Sequence, residues 1–359
     1  MLRPSLERPP CVVSFSGGRD SSCLLAAATR LAHKEGLELP VPASLRFPDA
    51  ASADETSWQE LVIEDLGLPE WEIIELSDGD LLGPDATALI RRHGVIWPAN
   101  AHILGAVIRA TGTGGSVITG LGGDEVFGTW RWRSLADLLA RRRPPEPYDL
   151  LRASYAALPA RARILRERRR MAAFVPDWLR PVAREEAWRR MAETAAQAPV
   201  WWQNRVRWRA RGRSLLAQLE TFETLGAEAD KEVSAPLIDP MFIAALARAG
   251  GRVAFGDRTD TMLAVFRSIV PEPLLRRSSK ATGEDLFWVG NSRRFAESWD
   301  GSGVDPELVD LEALRRQWLS PEPDGRTSLL LQAAWLHSDD RATDKGPEAA
   351  RLNPNRPPL

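Results

Sequence analysis

Cysteine and lysine are scarce in this chain, and the first scarcity closes off a class of chemistry. Among 359 residues only Cys11 and Cys23 are cysteines, too few for a disulfide framework or a thiolate metal cluster, which fits a reducing cytoplasm. The four histidines, His33, His93, His102 and His337, are scattered and show no metal-ligand spacing. No apolar run approaches the roughly 20 residues that a bilayer span requires. The opening "MLRPSLERPP" lacks the apolar core of a secretion signal. A formal net charge of -2 gives no global pull toward nucleic acid or membrane. Almost every basic residue is arginine, with lysine only at 34, 231, 280 and 345. Such a chain can keep lysine where a compact ammonium is useful.

What is present is ordinary for a globular protein, with 44% hydrophobic and 27% charged residues. From Cys11 to about Trp130, short β-rich runs ("CVVSF", "VPASLRF", "WEIIEL", "SVITG") alternate with segments whose apolar residues recur at helical spacing. That alternation predicts an α/β fold: a parallel sheet with helices on both faces, ligands binding beyond the carboxyl ends of the strands. From about Arg131 to Glu220 the strand signal disappears and the chain reads as Arg- and Trp-rich helices. A mixed region follows from 221, and the polar, proline-rich residues 338–359 read as a flexible tail.

The first strand breaks into Ser16-Gly17-Gly18-Arg19-Asp20-Ser21-Ser22 and then into a helical pattern. Backbone N–H groups at such a turn and helix start can hold phosphate oxygens, and Ser16, Ser21 and Ser22 add hydroxyls. Asp20 would repel a bare phosphate, so its presence makes sense if it holds Mg²⁺ on that phosphate. No P-loop lysine follows, which suits a loop that grips the pyrophosphate end of ATP while chemistry occurs at the α-phosphorus. The plain alternative is an ordinary strand–turn–helix joint. A second strand ends in Gly120-Leu121-Gly122-Gly123-Asp124-Glu125, with the same order of glycines and then an acid. Alone it would read as a surface turn. Together the two loops could set Asp20 and Asp124 on opposite sides of one magnesium triphosphate.

This pair, SGGRDSS and TGLGGDEVFG, resembles the synthetase domain of asparagine synthetases, a domain shared by β-lactam synthetase, carbapenam synthetase and the cyclases of lasso peptides. "KEVSAPLIDP" is similar to the family's segment containing Glu, Arg, Pro and a final Asp. "RTDTMLAVFRSIVPEPLLRRSSKATGEDLFW" is similar to the region where a helix and "LP" precede Arg and a catalytic Lys. The likeness spans about residues 11–335, with a nucleotide-binding core at 11–130, a helical segment at 131–220, and a region at 221–335 that completes the site. It implies an adenine nucleotide α-hydrolase-like fold of the PP-loop ATP pyrophosphatase type, with ATP and Mg²⁺ as cofactors. It implies that a carboxylate attacks the α-phosphorus, giving an acyl-adenylate and pyrophosphate, and that an amine then displaces AMP. On this reading Ser16, Gly17, Gly18, Asp20, Ser21 and Ser22 bind pyrophosphate, together with Gly120, Gly122, Gly123 and Asp124 of the second loop. Asp20 and Asp124 hold the metal, and Leu45 and Phe47 flank the adenosine at the end of the second strand. Lys280 meets charge on the phosphates and on the tetrahedral intermediate, and Glu232 manages the amine's proton.

The sequence departs from the family pattern at Ser234, where the family has Arg, and at Thr129-Trp130, where it has Gly-Tyr. About ten residues precede the first strand, so the expectation is a synthetase without the glutaminase domain. Its expected partners are a small-molecule or peptide carboxylate and an amine, with a precursor peptide or carrier protein as a further candidate, as in lactam or macrolactam biosynthesis. Membrane is excluded and nucleic acid disfavoured. Two other readings stay open: a tRNA-modifying PP-loop ATPase, and a nucleotide-binding scaffold that has lost catalysis. The arginine-rich helices read as solvated faces with tryptophans packed inward, in preference to a docking face for an acidic partner.

Overall fold

Short apolar, largely β-branched runs form the strands, and their parallel pairing follows from the helices that separate them. The computed structural model describes residues 1–48, 52, 54–76, 78–277 and 286–344. The strands are β1 (Cys11–Ser14), β2 (Val41–Arg46), β3 (Glu72–Glu75), β4 (Ser116–Ile118) and β5 (Glu232–Ser234). They form one sheet in the order β3-β2-β1-β4-β5, every pair parallel. The four runs expected as strands are all present. β5 is an addition, because it is three residues long and only Val233 of it is buried, so no alternation marks it.

The chain moves from β1 outward through β2 to β3, then returns to the other side of β1 for β4 and β5. This reversal puts a crevice at the carboxyl ends of β1 and β4, where open parallel sheets bind ligands. The helix Arg19–Glu35 leaves β1 at that point and ends at Gly36, whose left-handed φ of 65° closes it. Leu24, Leu25, Ala28 and Ala32 of this helix are buried at three- and four-residue spacing, and the core they enter includes Phe15, Ile118, Phe127 and Leu274. Cys11 and Cys23 are free and buried.

The chain divides into two compact units that interleave in sequence. The first comprises Met1–Ser77, Ile103–Ala173 and Trp188–Gly283, and holds the sheet; the second comprises Asp78–His102, Phe174–Ala187 and Glu284–Leu359. Neither follows the boundaries near 130 and 220 suggested by composition. The second unit is helical around Trp178, Trp299, Leu314 and Trp318, and the indoles of Trp299 and Trp318 lie 4.6 Å apart. Its buried Asp80 accepts hydrogen bonds from the amides of Asn291 and Ser292, at 2.5 and 3.1 Å, and so caps the helix Gly290–Ser298.

The expected flexible tail is corrected over its first residues. The helix Ser328–Asp344 runs through position 338, and Asp339 accepts a forked pair of hydrogen bonds from Arg91, both 2.8 Å. Composition could not reveal that partner, because it comes from a distant part of the chain. Residues 345–359 lie outside those described. Among the described residues, no helix is long and apolar enough to cross a membrane.

Candidate active site

The first loop is built by its own serines. Gly18 caps the helix Arg19–Glu35 in extended conformation, and the hydroxyls of Ser21 and Ser22 donate to the Gly18 carbonyl at 3.1 and 2.9 Å. Ser16 N–H donates to Ser21 Oγ at 3.3 Å, and Gly18 N–H donates to Ser16 Oγ at 3.3 Å. Ser21 and Ser22 are buried, so their hydroxyls shape the loop, whereas Ser16 is exposed. Gly17 takes a positive φ of 78°, and a Cβ there would stand 2.7 Å from Gln59 Cγ, so no other residue fits.

The second loop follows β4 and lies against the first. A Cβ on Gly123 would approach Asp20 Cγ to 2.3 Å, so glycine is what lets the Asp20 carboxylate reach this loop. Asp20 and Asp124 then share one cation. Arg258 donates from Nη2 to Asp20 at 2.6 Å and from Nη1 to Asp124 at 2.5 Å. It opens the helix Arg258–Phe266, whose start is fixed by a reciprocal box: Asp260 N–H to Asp257 and Asp257 N–H to Asp260, each 2.9 Å.

Burial raises the pKa of Asp20; Arg258 opposes this, and the neighbouring Asp124 adds to it. Asp20 Oδ1 is buried and, among the described residues, accepts no hydrogen bond. Two carboxylates from adjacent loops, already bridged by a cation and with an oxygen to spare, fit Mg²⁺. Among the described residues no group of three or more His, Cys, Asp or Glu side chains could cage a metal.

Arginines that the sequence reading did not single out surround the loops. Arg19 donates to Thr259 Oγ1 at 3.0 Å and to the Leu275 carbonyl at 3.2 Å, and burial followed by the charge of Arg258 lowers its pKa. Arg277 is buried; it donates to the Gly17 carbonyl at 2.8 Å, forks onto Glu55 at 2.7 and 2.5 Å, and stacks 4.7 Å over Trp58. Arg205 donates to the carbonyls of Val126, Gly128 and Thr129 at 3.0, 2.9 and 2.9 Å, fixing the chain just after the second loop. Burial, then repulsion from Arg209, brings its pKa down to about 10. In the sequence these residues are hidden by the general abundance of arginine. The D-x-x-D box beside Arg258 is the one local signal.

Leu45 ends β2 with Arg46, and Phe47 follows, so both expected adenosine neighbours lie at the carboxyl side of the sheet. Glu232 does not. In the parallel register Glu232 pairs with Ser116, and Ser116 with Cys11, which places Glu232 at the amino ends of the strands. There it forms a 2.5 Å ion pair with Arg8 and is half exposed. The role expected for it as the amine's acid or base is therefore corrected: spacing along the chain could not say which end of a strand not recognised as such it would occupy. Lys280 lies outside the described residues. Lys231 is buried and donates to Thr111, a structural use of a scarce ammonium.

A cavity of about 540 Å³ lies beside the carboxyl end of β5. Leu216, Leu219, Ile238 and Ile243 give it an apolar lining, with Arg207 and Arg211 among its polar groups. Ile238 also packs on the second loop, since a Cβ on Gly122 would meet it at 2.1 Å.

No curated protein matches the chain. Residues 6–337 of the 359 match the family model described as asparagine synthase. With its parallel sheet and paired glycine-rich loops, the chain belongs to the asparagine synthase family, whose activity is of the ATP-dependent synthetase type.

Proposed function

We propose that the protein is an AMP-forming amide synthetase that adenylates a carboxylate and passes the acyl group to an amine. The observation that carries this reading is the pairing of Asp20 and Asp124 on one cation at the crevice between β1 and β4. Asp20 and Asp124 would hold Mg²⁺, which when bound neutralises phosphate charge and orients the pyrophosphate as it leaves. Backbone amides of the first loop and of the start of the helix Arg19–Glu35 are suited to the pyrophosphate oxygens. Arg19 and Arg258 add positive charge beside them. A substrate carboxylate oxygen bonds to the α-phosphorus as the α–β bridging bond breaks; the amine nitrogen then bonds to the acyl carbon as AMP leaves, and the amine gives up a proton.

Lys280 is proposed to meet the charge that develops in these steps. Support comes from its neighbour Arg277, three positions earlier in sequence, which is anchored on the Gly17 carbonyl. The cavity against Ile238 is proposed as the acyl pocket. Its apolar lining suits a natural-product or peptide acid better than a small dicarboxylate, which favours lactam or macrolactam formation with a substrate-borne amine.

The test is product analysis with ATP, Mg²⁺, a panel of apolar carboxylic acids and hydroxylamine, which intercepts activated acyl groups as hydroxamates. AMP, pyrophosphate and hydroxamate in equal amounts are expected. ADP and phosphate would overturn the adenylation reading, and nucleotide binding without turnover of any acid would favour a scaffold.

A further inference from the structure

A second cavity, of about 260 Å³, opens among the helices Arg133–Leu139, Tyr148–Ala157 and Ala160–Met171. None of its lining residues belongs to the nucleotide loops or to the pocket beside Ile238. Trp132, Leu135 and Leu151 form an apolar wall, with the exposed Tyr148 beside them. The other wall comes from the helix Ala160–Met171, where Arg166, Glu167 and Arg170 share one face at three- and four-residue spacing.

Glu167 sits at the centre and is only 1% exposed. Its Oε1 accepts from Arg131 Nη2 at 2.8 Å and from the Tyr155 hydroxyl. Its Oε2 is buried and accepts no hydrogen bond; Arg170 stands 3.5 Å away, beyond good hydrogen-bond geometry. Burial alone would raise the pKa of Glu167, but the bonds from Arg131 and Tyr155 outweigh it and hold it below the usual carboxylate value. The group is therefore ionised at neutral pH, with one oxygen shielded from water and unmet, a costly arrangement that a ligand N–H would relieve.

The rest of the cavity asks for the opposite charge. Arg166 stacks 4.7 Å over the Tyr155 ring and, among the described residues, has no acidic partner. Arg131 stacks over Trp132 at 4.9 Å and Tyr155 at 5.4 Å, and Arg152 also lines the space. The charge of Arg152 is met by Glu146 and Asp149, and the guanidiniums of Arg131, Arg166 and Arg170 still outnumber the one lining carboxylate, Glu167. An anionic group is needed beside Arg166 and Arg170, a donor beside Glu167, and an apolar body against Trp132 and the leucines. The volume would hold about nine waters, or one amino acid.

We propose that this cavity binds a free α-amino acid with a large apolar side chain. Its carboxylate lies on Arg166 and Arg170, its ammonium donates to Glu167 Oε2, and its side chain covers the Trp132, Leu135 and Leu151 wall. The site is new relative to the nucleotide reading and does not depend on it.

Calorimetry on the full chain without nucleotide tests this directly. The probes are L-phenylalanine, L-leucine, L-methionine and L-tryptophan, with 3-phenylpropionate and phenethylamine as ligands that each lack one charged group. At least one of the amino acids should bind with one-to-one stoichiometry, and each one-charge analogue should bind about tenfold more weakly or worse than phenylalanine. Arg166→Gln should weaken amino-acid binding about tenfold with only a small change in unfolding temperature, since among the described residues Arg166 has no acidic partner and contributes only its stacking on Tyr155. Glu167→Gln should abolish the preference for phenylalanine over 3-phenylpropionate. If Glu167→Gln fails to fold, the Arg166 variant and the analogue series still decide. Absence of saturable binding by all four amino acids would overturn the proposal. So would equal affinity for phenylalanine and 3-phenylpropionate in the parent protein, or unchanged binding in Arg166→Gln.

Discussion

Asp20 and Glu167 are both carboxylates held by arginine, and each keeps one buried oxygen that accepts no hydrogen bond from the described residues. Their surroundings push them in opposite directions. Burial and the nearby Asp124 raise Asp20, whereas donors from Arg131 and Tyr155 overcome burial and lower Glu167. The difference lies in local charge. At the loops Arg258 bridges two acids, Asp20 and Asp124; in the helical cavity Arg131 and Arg170 both face one acid, Glu167. The first region sets two carboxylates side by side and is suited to a metal cation. The second region has positive charge in excess and is suited to an anion. The same two side-chain types, in different ratios, make different kinds of site.

The largest expected effects lie at the glycine-rich loops. Asp20→Asn and Asp124→Asn should each lower turnover by about 10²–10³-fold, as loss of an electrostatic contact to developing charge does. Lys280→Ala should fall in the same range, and Lys280→Arg should not recover full activity, because a planar guanidinium has a different reach. Both Lys280 variants should bind ATP better than they turn it over, since the contact strengthens in the transition state. Steady-state rates beside nucleotide affinities check this; parental rates in both Lys280 variants would remove Lys280 from the site.

A smaller effect separates the two carboxylates by pH in the metal-free protein. For Asp20 the folded pKa lies above the unfolded one, so its contribution to stability is present at acid pH and is lost as pH rises through the folded value. For Glu167 the folded pKa lies below, so its contribution is present at neutral pH and is lost as pH falls through the folded value. Glu167→Gln should therefore destabilise at pH 7 by about 1.5–3 kcal/mol, and Asp20→Asn should not lower the unfolding temperature there. Both differences should shrink toward pH 3. Thermal unfolding across that range reads the signs, and like signs at pH 7 would break the contrast.

The smallest effect is expected at the far end of the sheet. Arg8 and Glu232 form an exposed pair, so Glu232→Gln should cost less than about 1 kcal/mol and leave turnover unchanged. A large loss of turnover would return Glu232 to the chemistry and contradict its placement at the amino ends of the strands.

These residues also show what the sequence made legible. β1, β2, β3 and β4 stand out because each is an apolar run bounded by helical spacing, and both loops stand out because glycines precede an acid at a strand end. β5 was hidden, since Glu232-Val233-Ser234 is too short to alternate. Without β5 the register that carries Glu232 away from the loops cannot be inferred. Arg258, Arg277 and Arg205 were hidden for another reason. Their roles depend on contacts across long separations in the chain, and apart from the D-x-x-D box beside Arg258 nothing local distinguishes them from arginines on solvated faces. Glu167 looked like one more charge in an arginine-rich helix until tertiary packing buried it against Tyr155.

The central claim is that Asp20 and Asp124 act on one magnesium-bound nucleotide, and a double-mutant cycle on Mg²⁺–nucleotide affinity tests it most directly. Calorimetry with a non-hydrolysable ATP analogue on Asp20→Asn, Asp124→Asn and the double variant would give the coupling. If the two carboxylates share one metal, each single variant weakens binding and the double variant loses much less than the sum of the two. Strictly additive losses, or unchanged affinity in both single variants, would contradict the shared site.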